Sequence, residues 1–499
     1  MTTPSTQPPK FGLLRRWWPA CLLVAGVFIA FQPAGNAGFI WDDDRYVTHN
    51  PLLTSPDGWW RIWFSFDSPS QYFPLTYSLL RVEHGFWGLD AAGYHWTNLL
   101  LHAVNAGLLW KFLERLAVPA AGFAAALFAL HPVQVETVAW IAEQKNLLSL
   151  LFSLLALHAW LSFLRDQTGG WRNYTRALIY FALALFAKTT ACTLTIALLL
   201  VCWWERKPIH RQRWIQVAPF FAAGLLMGLV TIWWERFHQG TEGKLFHLGL
   251  VERVLLASRA MWFYLGKLLW PANLIFSYPK WTIQTSALSA WLWLVAGVLA
   301  AAFICALRRR MGRGLAVAAI FFVATLSPLL GFVMLYTFRY TFVADHYQYV
   351  ACIGPLALAA AVWKFFCERW GRRGRWLQIF GAAGIIALLA TLTWRQCGMY
   401  RDAETLWRAT LARNPGSSLA HNNLGTLLMR SGRTDEAIPH FEAALAAQPD
   451  YAVACHNLGR ALAEKGLLDA AIARFEQAVR LDPEYPSPRI NLGNALVQR

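Results

Sequence analysis

The sequence predicts an all-α protein, a polytopic bundle of membrane helices followed by an α-solenoid, and three observations carry that prediction. Of its 499 residues 57% are hydrophobic and only 15% are charged, too apolar a balance for an ordinary soluble domain. The apolar residues are bunched into many runs long enough to cross a bilayer. The last hundred residues break the pattern: Gly425, Gly459 and Gly493 recur at a 34-residue step, the period of a helix-hairpin repeat.

Charge follows the same division. The formal balance is +17, yet from Gly398 onward 11 basic residues face 11 acidic ones, so the excess belongs to the apolar part. There it sits in short connections: "KFGLLRRWW", "LRDQTGGWRNYTR", "ERKPIHRQRW", "RRRMGRG" and "CERWGRRGRW". Such clusters are cytoplasmic signatures under the positive-inside rule, and their scatter excludes a nucleic-acid groove. The stretch 37–95 is reversed, with seven acidic residues against three arginines, and is expected outside.

Taken in order, apolar runs begin near Pro19, His95, Pro119, Leu147, Ala177, Thr189, Val217, Ala287, Leu315, Val350 and Ile379, about 11 crossings when the basic connections are placed inside. The first, "PACLLVAGVFIAFQPAG" (19–35), follows basic residues as a signal peptide's core would, but no cleavage site follows and it reads as a retained helix. In the outer loop, "GWWRIWFSF" and "YFPLTYSLLRVEHGFWGLD" suit aromatic helices lying in the headgroup layer. "VLLASRAMWFYLGKLLWPANLIF" (254–276) carries Arg259, Lys267 and Pro271, and is expected as an interfacial or re-entrant helix on the outer side. The result is a membrane domain over 1–397 and an outer repeat domain over 398–499. In that second domain "NNLG", "HNLG" and "INLG", with Ala437 and Ala471, Phe441 and Phe475, Pro449 and Pro483 at the same step, form the tetratricopeptide pattern. The last helix has no polar capping repeat after it, so its end is expected to fray. Eight cysteines without a CxxC spell neither a zinc site nor a disulfide framework, and Cys397 with Cys455 is the one pairing open to consider.

Four groups of residues could carry chemistry. Asp42, Asp43 and Asp44 in "GFIWDDDRYVTHNP" are pinned to the end of the first span; a carboxylate there is either a solvated tip, a general base or a metal ligand. His131, Glu136, Glu143 and Lys145 in "LHPVQVETVAWIAEQKN" are placed at the outer end of the third span and in the turn before the fourth, without the spacing of a zinc protease. His95, Asn98, His102 and Asn105 form one polar stripe, for substrate or for helix packing. Lys188, Arg259, Lys267, Arg339 and His346 intrude on apolar segments at the outer leaflet, where snorkelling or an anionic phosphate would account for them.

Taken together, "GFIWDDDRYVTHNP", "YHWTNLLLHAVNA", "LFALHPVQVETVAWIAEQKNLLSLLF", "LLWPANL", "ADHYQYV" and the repeats resemble the transmembrane and tetratricopeptide-repeat O-mannosyltransferases and their bacterial relatives, within the GT-C glycosyltransferase superfamily. The resemblance implies an essential acid in the first outer loop, here Asp42 or Asp43, and a polyprenyl-phosphate or dolichyl-phosphate sugar as donor. His131 and Glu136 match the family's HPxxxE segment, Asp345 matches its acid before a tyrosine, and His346 stands where relatives often carry arginine.

The expected function is therefore inverting transfer of a hexose such as mannose from a polyprenyl phosphate to Ser or Thr hydroxyls of proteins. Asp42 or Asp43 is the expected base, Lys145, Lys188, Arg259 and Arg339 face the departing phosphate, and Glu136 and His131 orient acceptor or sugar. The repeats would present the acceptor, and the setting would be a bacterial inner membrane with site and repeats facing the periplasm. The lipid-linked donor is the expected co-substrate, and dependence on a divalent metal stays open. A diphosphate donor carrying sugar to a glycan or lipid would add a divalent metal, for which Asp42, Asp43 and Glu136 are the candidate ligands. The non-enzymatic alternative is a membrane-anchored repeat scaffold for envelope assembly.

Overall fold

The computed structural model describes residues 11–66, 68, 70–166, 170–241 and 246–499. Lys10, Asp67 and residues 167–169, parts of the charge pattern above, lie outside the described residues. Helix and turn make up the described chain, with no strand among the described residues.

Apolar α1 (Phe11–Ala30) leads into a loop holding α2 (Pro51–Thr54), α3 (Gly58–Phe64) and α4 (Pro74–Trp87). The bundle continues with α5 (Ala91–Arg115), α6 (Ala121–Leu130), α7 (Val135–Ala139), α8 (Gln144–Arg165), α9 (Trp171–Ala187), α10 (Leu194–Trp204) and α11 (Arg211–Phe237). It closes with α12 (Leu250–Leu269), α13 (Leu288–Met311), α14 (Gly314–Leu326), α15 (Ile353–Glu368) and α16 (Gly371–Cys397). α8 is the central pillar: it packs on α5, α9 and α10, and its apolar window is 72% buried, against none for α13 and 11% for α16. Apolar helices that protein leaves uncovered need hydrocarbon around them. At one end of the bundle the basic connections meet, Arg165 binding Glu205 at 2.8 Å and the carbonyl of Arg115 at 2.7 Å while Arg313 reaches the carbonyl of Trp203.

Every expected crossing is helical, but the count of 11 does not follow from the helices. Among the described residues four are long and apolar enough to span by length and composition, over 141–165, 211–237, 288–310 and 371–400, and a bent pair over 121–139 makes five. α5 misses that test through its polar stripe and terminal charges, whereas the α10 and α14 helices are short. In the 254–276 stretch α12 is one unbroken helix, stopped at Trp270 just before Pro271, and the residues after it are not helical.

The region expected as an outer turn is the most deeply buried in the chain. Pro132 halts α6, His131 Nδ1 caps the Val133 amide at 3.3 Å, and the chain bends by 52° into α7 before α8 restarts at Gln144. Every residue from Phe128 to Leu150 is buried, so Glu136, Glu143 and Lys145 enter the interior rather than a surface connection. Buried charges persist only where partners surround them.

Beyond α16 follow α17 (Ala403–Arg413), α18 (Ser418–Arg430), α19 (Thr434–Ala447), α20 (Ala452–Glu464), α21 (Leu468–Leu481) and α22 (Pro486–Gln498). Asp402 and Ser417 cap α17 and α18 through the amides of Thr405 and Ala420. A Cβ on Gly425 would fall 2.8 Å from Phe441 and one on Gly459 2.6 Å from Phe475, so each glycine is the notch its aromatic partner fills. The α17 and α18 region shares one apolar core with the bundle. Polar pins fasten it: Arg413 to the carbonyl of Leu274 at 2.6 Å, Asn414 to that of Ser277 at 3.0 Å, and the Gly38 amide to the carbonyl of Arg401 at 2.9 Å. Cys397 and Cys455 are both free thiols.

Candidate active site

The three consecutive carboxylates occupy three different environments. Trp41 holds a left-handed backbone, φ 39°, and the reversal sends its followers in different directions. Asp43 is fully buried, its Oδ2 accepting from the Ile40 amide at 2.9 Å and its Oδ1 from the Ala142 amide at 2.8 Å. It clips the loop to the turn ahead of α8. Asp44 faces outward, 3.9 Å from Arg430 of α18. Asp42 is partly buried, lines a cavity of about 960 Å³, and its carboxylate accepts no hydrogen bond among the described residues. Burial pushes Asp43 up to about 8 despite its two amide donors. Burial also raises Asp42, opposed by the charges of Arg45 and Lys145.

Across the cavity stands Glu143, 2.7 Å from Lys145 Nζ and 3.2 Å from Lys188 Nζ, and it accepts from Asn146 at 2.5 Å. Lys145 also lies 4.7 Å from the centre of the Tyr46 ring and 5.6 Å from that of Trp140. Glu136 accepts the His346 amide at 2.8 Å and lies 3.2 Å from that residue's Nδ1, whereas His346 Nε2 is 3.8 Å from Glu143. Glu136 therefore holds the backbone of His346, whose Nδ1 lies beside it without a hydrogen bond, and His346 itself faces the cavity. Asp345 points the other way, accepting from the Tyr278 hydroxyl at 3.0 Å.

The structure thus brings together Asp42, Glu143, Lys145, Lys188 and His346, with Glu136 behind them, and holds the other expected residues apart. His131 bonds the carbonyl of Leu268 at 3.0 Å. His102 spans Tyr349 and the carbonyl of Ala129, both at 2.9 Å, and Asn98 donates to the carbonyls of Val138 and Trp140. His95 is buried under the start of the first loop. Asn98, His102 and Asn105 of the α5 stripe thus join that helix to backbone carbonyls between Ala129 and Leu147. Arg259 lies 4.2 Å over Trp281 beside a separate small cavity, and Arg339 lies 5.3 Å over Tyr451 of the repeats. No three His, Cys, Asp or Glu residues surround a common point among the described residues; Asp43 is taken up by amides and Glu136 by His346, so the set Asp42, Asp43 and Glu136 does not converge as a metal site.

Some cavity residues were not singled out in the sequence. Trp41, Tyr46 and Trp140 wall it, and Glu235 also lines it, accepting from Gln71 and from the Tyr336 amide at 2.9 Å. Glu235 had a signal available, being the single acid in α11, next to two tryptophans at its end. A second, apolar cavity of about 760 Å³ runs between α8, α10, α14 and α15 and shares Thr190, Thr193, His346 and Tyr347 with the first. Its far end reaches Arg206, Arg308 and Arg313 among the basic connections.

Residues 77–234 match the family model of the dolichyl-phosphate-mannose-protein mannosyltransferases, and residues 416–484 that of the tetratricopeptide repeat. The chain is 26% identical over 524 residues to the Drosophila melanogaster protein O-mannosyl-transferase Tmtc1, covering 82% of this chain and 59% of the relative. A Caenorhabditis elegans protein O-mannosyl-transferase is 24% identical over 446 residues, covering 83% and 61%. Homo sapiens TMTC2, another protein O-mannosyl-transferase, is 32% identical over 133 residues, 24% of this chain and 16% of its own length. The chain spans less than two thirds of each of these relatives. It is similar to the transmembrane and tetratricopeptide-repeat O-mannosyltransferases in both its membrane part and its repeats.

Proposed function

We propose that the chain is a membrane glycosyltransferase that moves a hexose such as mannose from a polyprenyl phosphate to Ser or Thr hydroxyls of proteins, with inversion. One observation carries the reading: of three adjacent carboxylates, only Asp42 combines an unbonded carboxylate with a place on the cavity wall that also bears Lys145 and Lys188. The relatives, named as protein O-mannosyl-transferases, suggest protein O-mannosylation as the reaction.

In this mechanism Asp42 takes the proton of the acceptor hydroxyl. The oxygen bonds to the anomeric carbon as the bond from that carbon to the donor phosphate breaks, and the lipid phosphate leaves with the electron pair. A phosphate needs no general acid, so the demand on the protein is charge stabilisation, met by Lys145 and Lys188. Glu143 holds both lysines ready in the absence of donor, and Glu136 keeps His346 turned toward the phosphate. The donor's chain would enter the apolar cavity that opens from the same threonines. Arg259 and Arg339 take no part. The basic connections at the opposite end of the bundle support placing that end in the cytoplasm and the cavity on the far side, periplasmic in a bacterial inner membrane.

The test is transfer from labelled polyprenyl-phosphate mannose in membranes carrying wild type, Asp42→Asn or Asp43→Asn. Asp42→Asn should lower transfer to protein by about 10²–10⁴-fold at unchanged expression, while Asp43→Asn should lower the amount of folded protein more than the rate per folded molecule. Full activity of Asp42→Asn would end the assignment, and label appearing on glycan or lipid but not protein would change the acceptor.

A further inference from the structure

The repeat array is fastened to the bundle through aromatic rings that converge on the residue before Asp42. Trp407, buried on α17, sets its ring edge-on to Trp41 at 6.3 Å and to Phe276 at 5.4 Å. Trp41 in turn stacks on Trp140 at 5.5 Å and meets Phe276 at 5.2 Å, and Trp140 meets His346 at 5.6 Å. The backbone of Trp41 is in the left-handed region, φ 39°, where a bulky side chain does not rest without external constraint. Three of its ring neighbours come from three separate parts of the chain: the buried 131–143 segment, the stretch after α12, and the first repeat helix. On the other side of Asp42, Asp44 reaches Arg430, and ahead of it Gly38 is bonded to Arg401.

We propose that Trp407 is a positioning residue: through the ring of Trp41 the first repeat helix holds the loop backbone in its left-handed turn and so aims the Asp42 carboxylate into the cavity. The repeat domain is then part of the catalytic geometry as well as an acceptor platform, and a change in α17 is felt at the base. The inference rests on Asp42 being the base, but its structural half does not require any turnover.

The full-length protein in detergent is compared as wild type, Trp407→Phe, Trp407→Ala, Trp41→Gly and the Trp41→Gly, Trp407→Ala double variant. Two readouts are taken: amide hydrogen exchange over residues 38–48, and transfer to a short Ser/Thr peptide that does not reach the repeats. Trp407→Ala should speed exchange over 38–48 by about tenfold or more. It should also cut kcat by about 10²-fold with the KM for peptide little changed, and Trp407→Phe should restore most of both. In the Trp41→Gly background, where glycine has lost the ring the clasp grips, Trp407→Ala should add less than about twofold. Unchanged exchange over 38–48, or effects of Trp41→Gly and Trp407→Ala that simply multiply, would overturn the proposal. Should the alanine variant also loosen α20, seen as fast exchange there, the comparison is made with Trp407→Leu, which keeps the helix interior filled. A wild type without transfer from any mannosyl donor sinks the enzyme reading alone, since the exchange data still decide whether Trp407 sets the loop.

Discussion

Asp43 has both carboxylate oxygens occupied by amides and no route to solvent, so replacing it is a folding experiment. Burial pushes it up to about 8 from an ordinary 3.8. Between those values the folded chain keeps a proton that the unfolded chain has released, so this residue's contribution to stability falls as pH rises through that window and is flat outside it. Asp43→Asn resembles the protonated acid in shape, and should cost about 1 kcal/mol at pH 5. The gap to wild type in thermal unfolding should then close toward pH 8; a gap that stays constant from pH 5 to 8 would mean that Asp43 is already ionised at pH 5. Asp42 titrates toward a different end. A base works deprotonated, and burial raises this one, so kcat/KM for transfer should climb with pH through a midpoint above the ordinary carboxylate value. A profile flat from pH 4 upward would count against it. Glu143 is the third case, since it pairs with both Lys145 and Lys188. Glu143→Gln leaves two buried cations without their partner and should destabilise by about 3–5 kcal/mol, part of which a second change, Lys188→Met, should return.

Among the elements, the repeats allow the sharpest contrast, because equivalent glycines differ in what surrounds them. Gly459→Ala drives a methyl into Phe475, where a Cβ would fall 2.6 Å from the ring, and should cost about 1–3 kcal/mol. A Cβ on Gly493, inside α22, meets nothing within 4 Å, so Gly493→Ala should not destabilise the repeats and should add up to about 1 kcal/mol through helix propensity; equal losses at both sites would refute the notch. This notch was legible in sequence because spacing between like residues survives folding unchanged. The same holds for the apolar runs, whose composition alone demands burial or lipid. The broken segment was not legible. "HPVQVETVAW" reads as a polar turn, since nothing local announces that Asn98 and His346 will come from distant parts of the chain to bond it. The polar stripe of α5 was visible as a pattern, but the backbone carbonyls it satisfies were not. Among the three aspartates, adjacency in sequence hid the divergence that one left-handed residue creates, and a positive φ at tryptophan is not a feature composition predicts.

On the scale of the whole molecule, the bundle and the inner repeats share one apolar core while the outermost helices have their own small cluster, Ala471, Ile472, Phe475 and Ala495. That division separates two roles that a deletion of the whole array would confuse. Removing α20 to α22 takes Leu458 and Ala461 out of the shared core but leaves α17 and α18 pinned through Trp407, Arg413 and Asn414, so the loop carrying Asp42 keeps its support. Such a chain should transfer to a short Ser/Thr peptide within about twofold of wild type, while kcat/KM for a protein acceptor falls by about tenfold or more through loss of contacts that act as linked binding sites. Removing everything after Cys397 takes away the clasp as well, and both acceptors should then fail together. Measured side by side on peptide and protein acceptors, equal losses in the shorter deletion would mean that the outer repeats support the bundle's fold rather than the acceptor. A protein acceptor handled normally without α20 to α22 would confine the acceptor contacts to the cavity and the inner repeat helices.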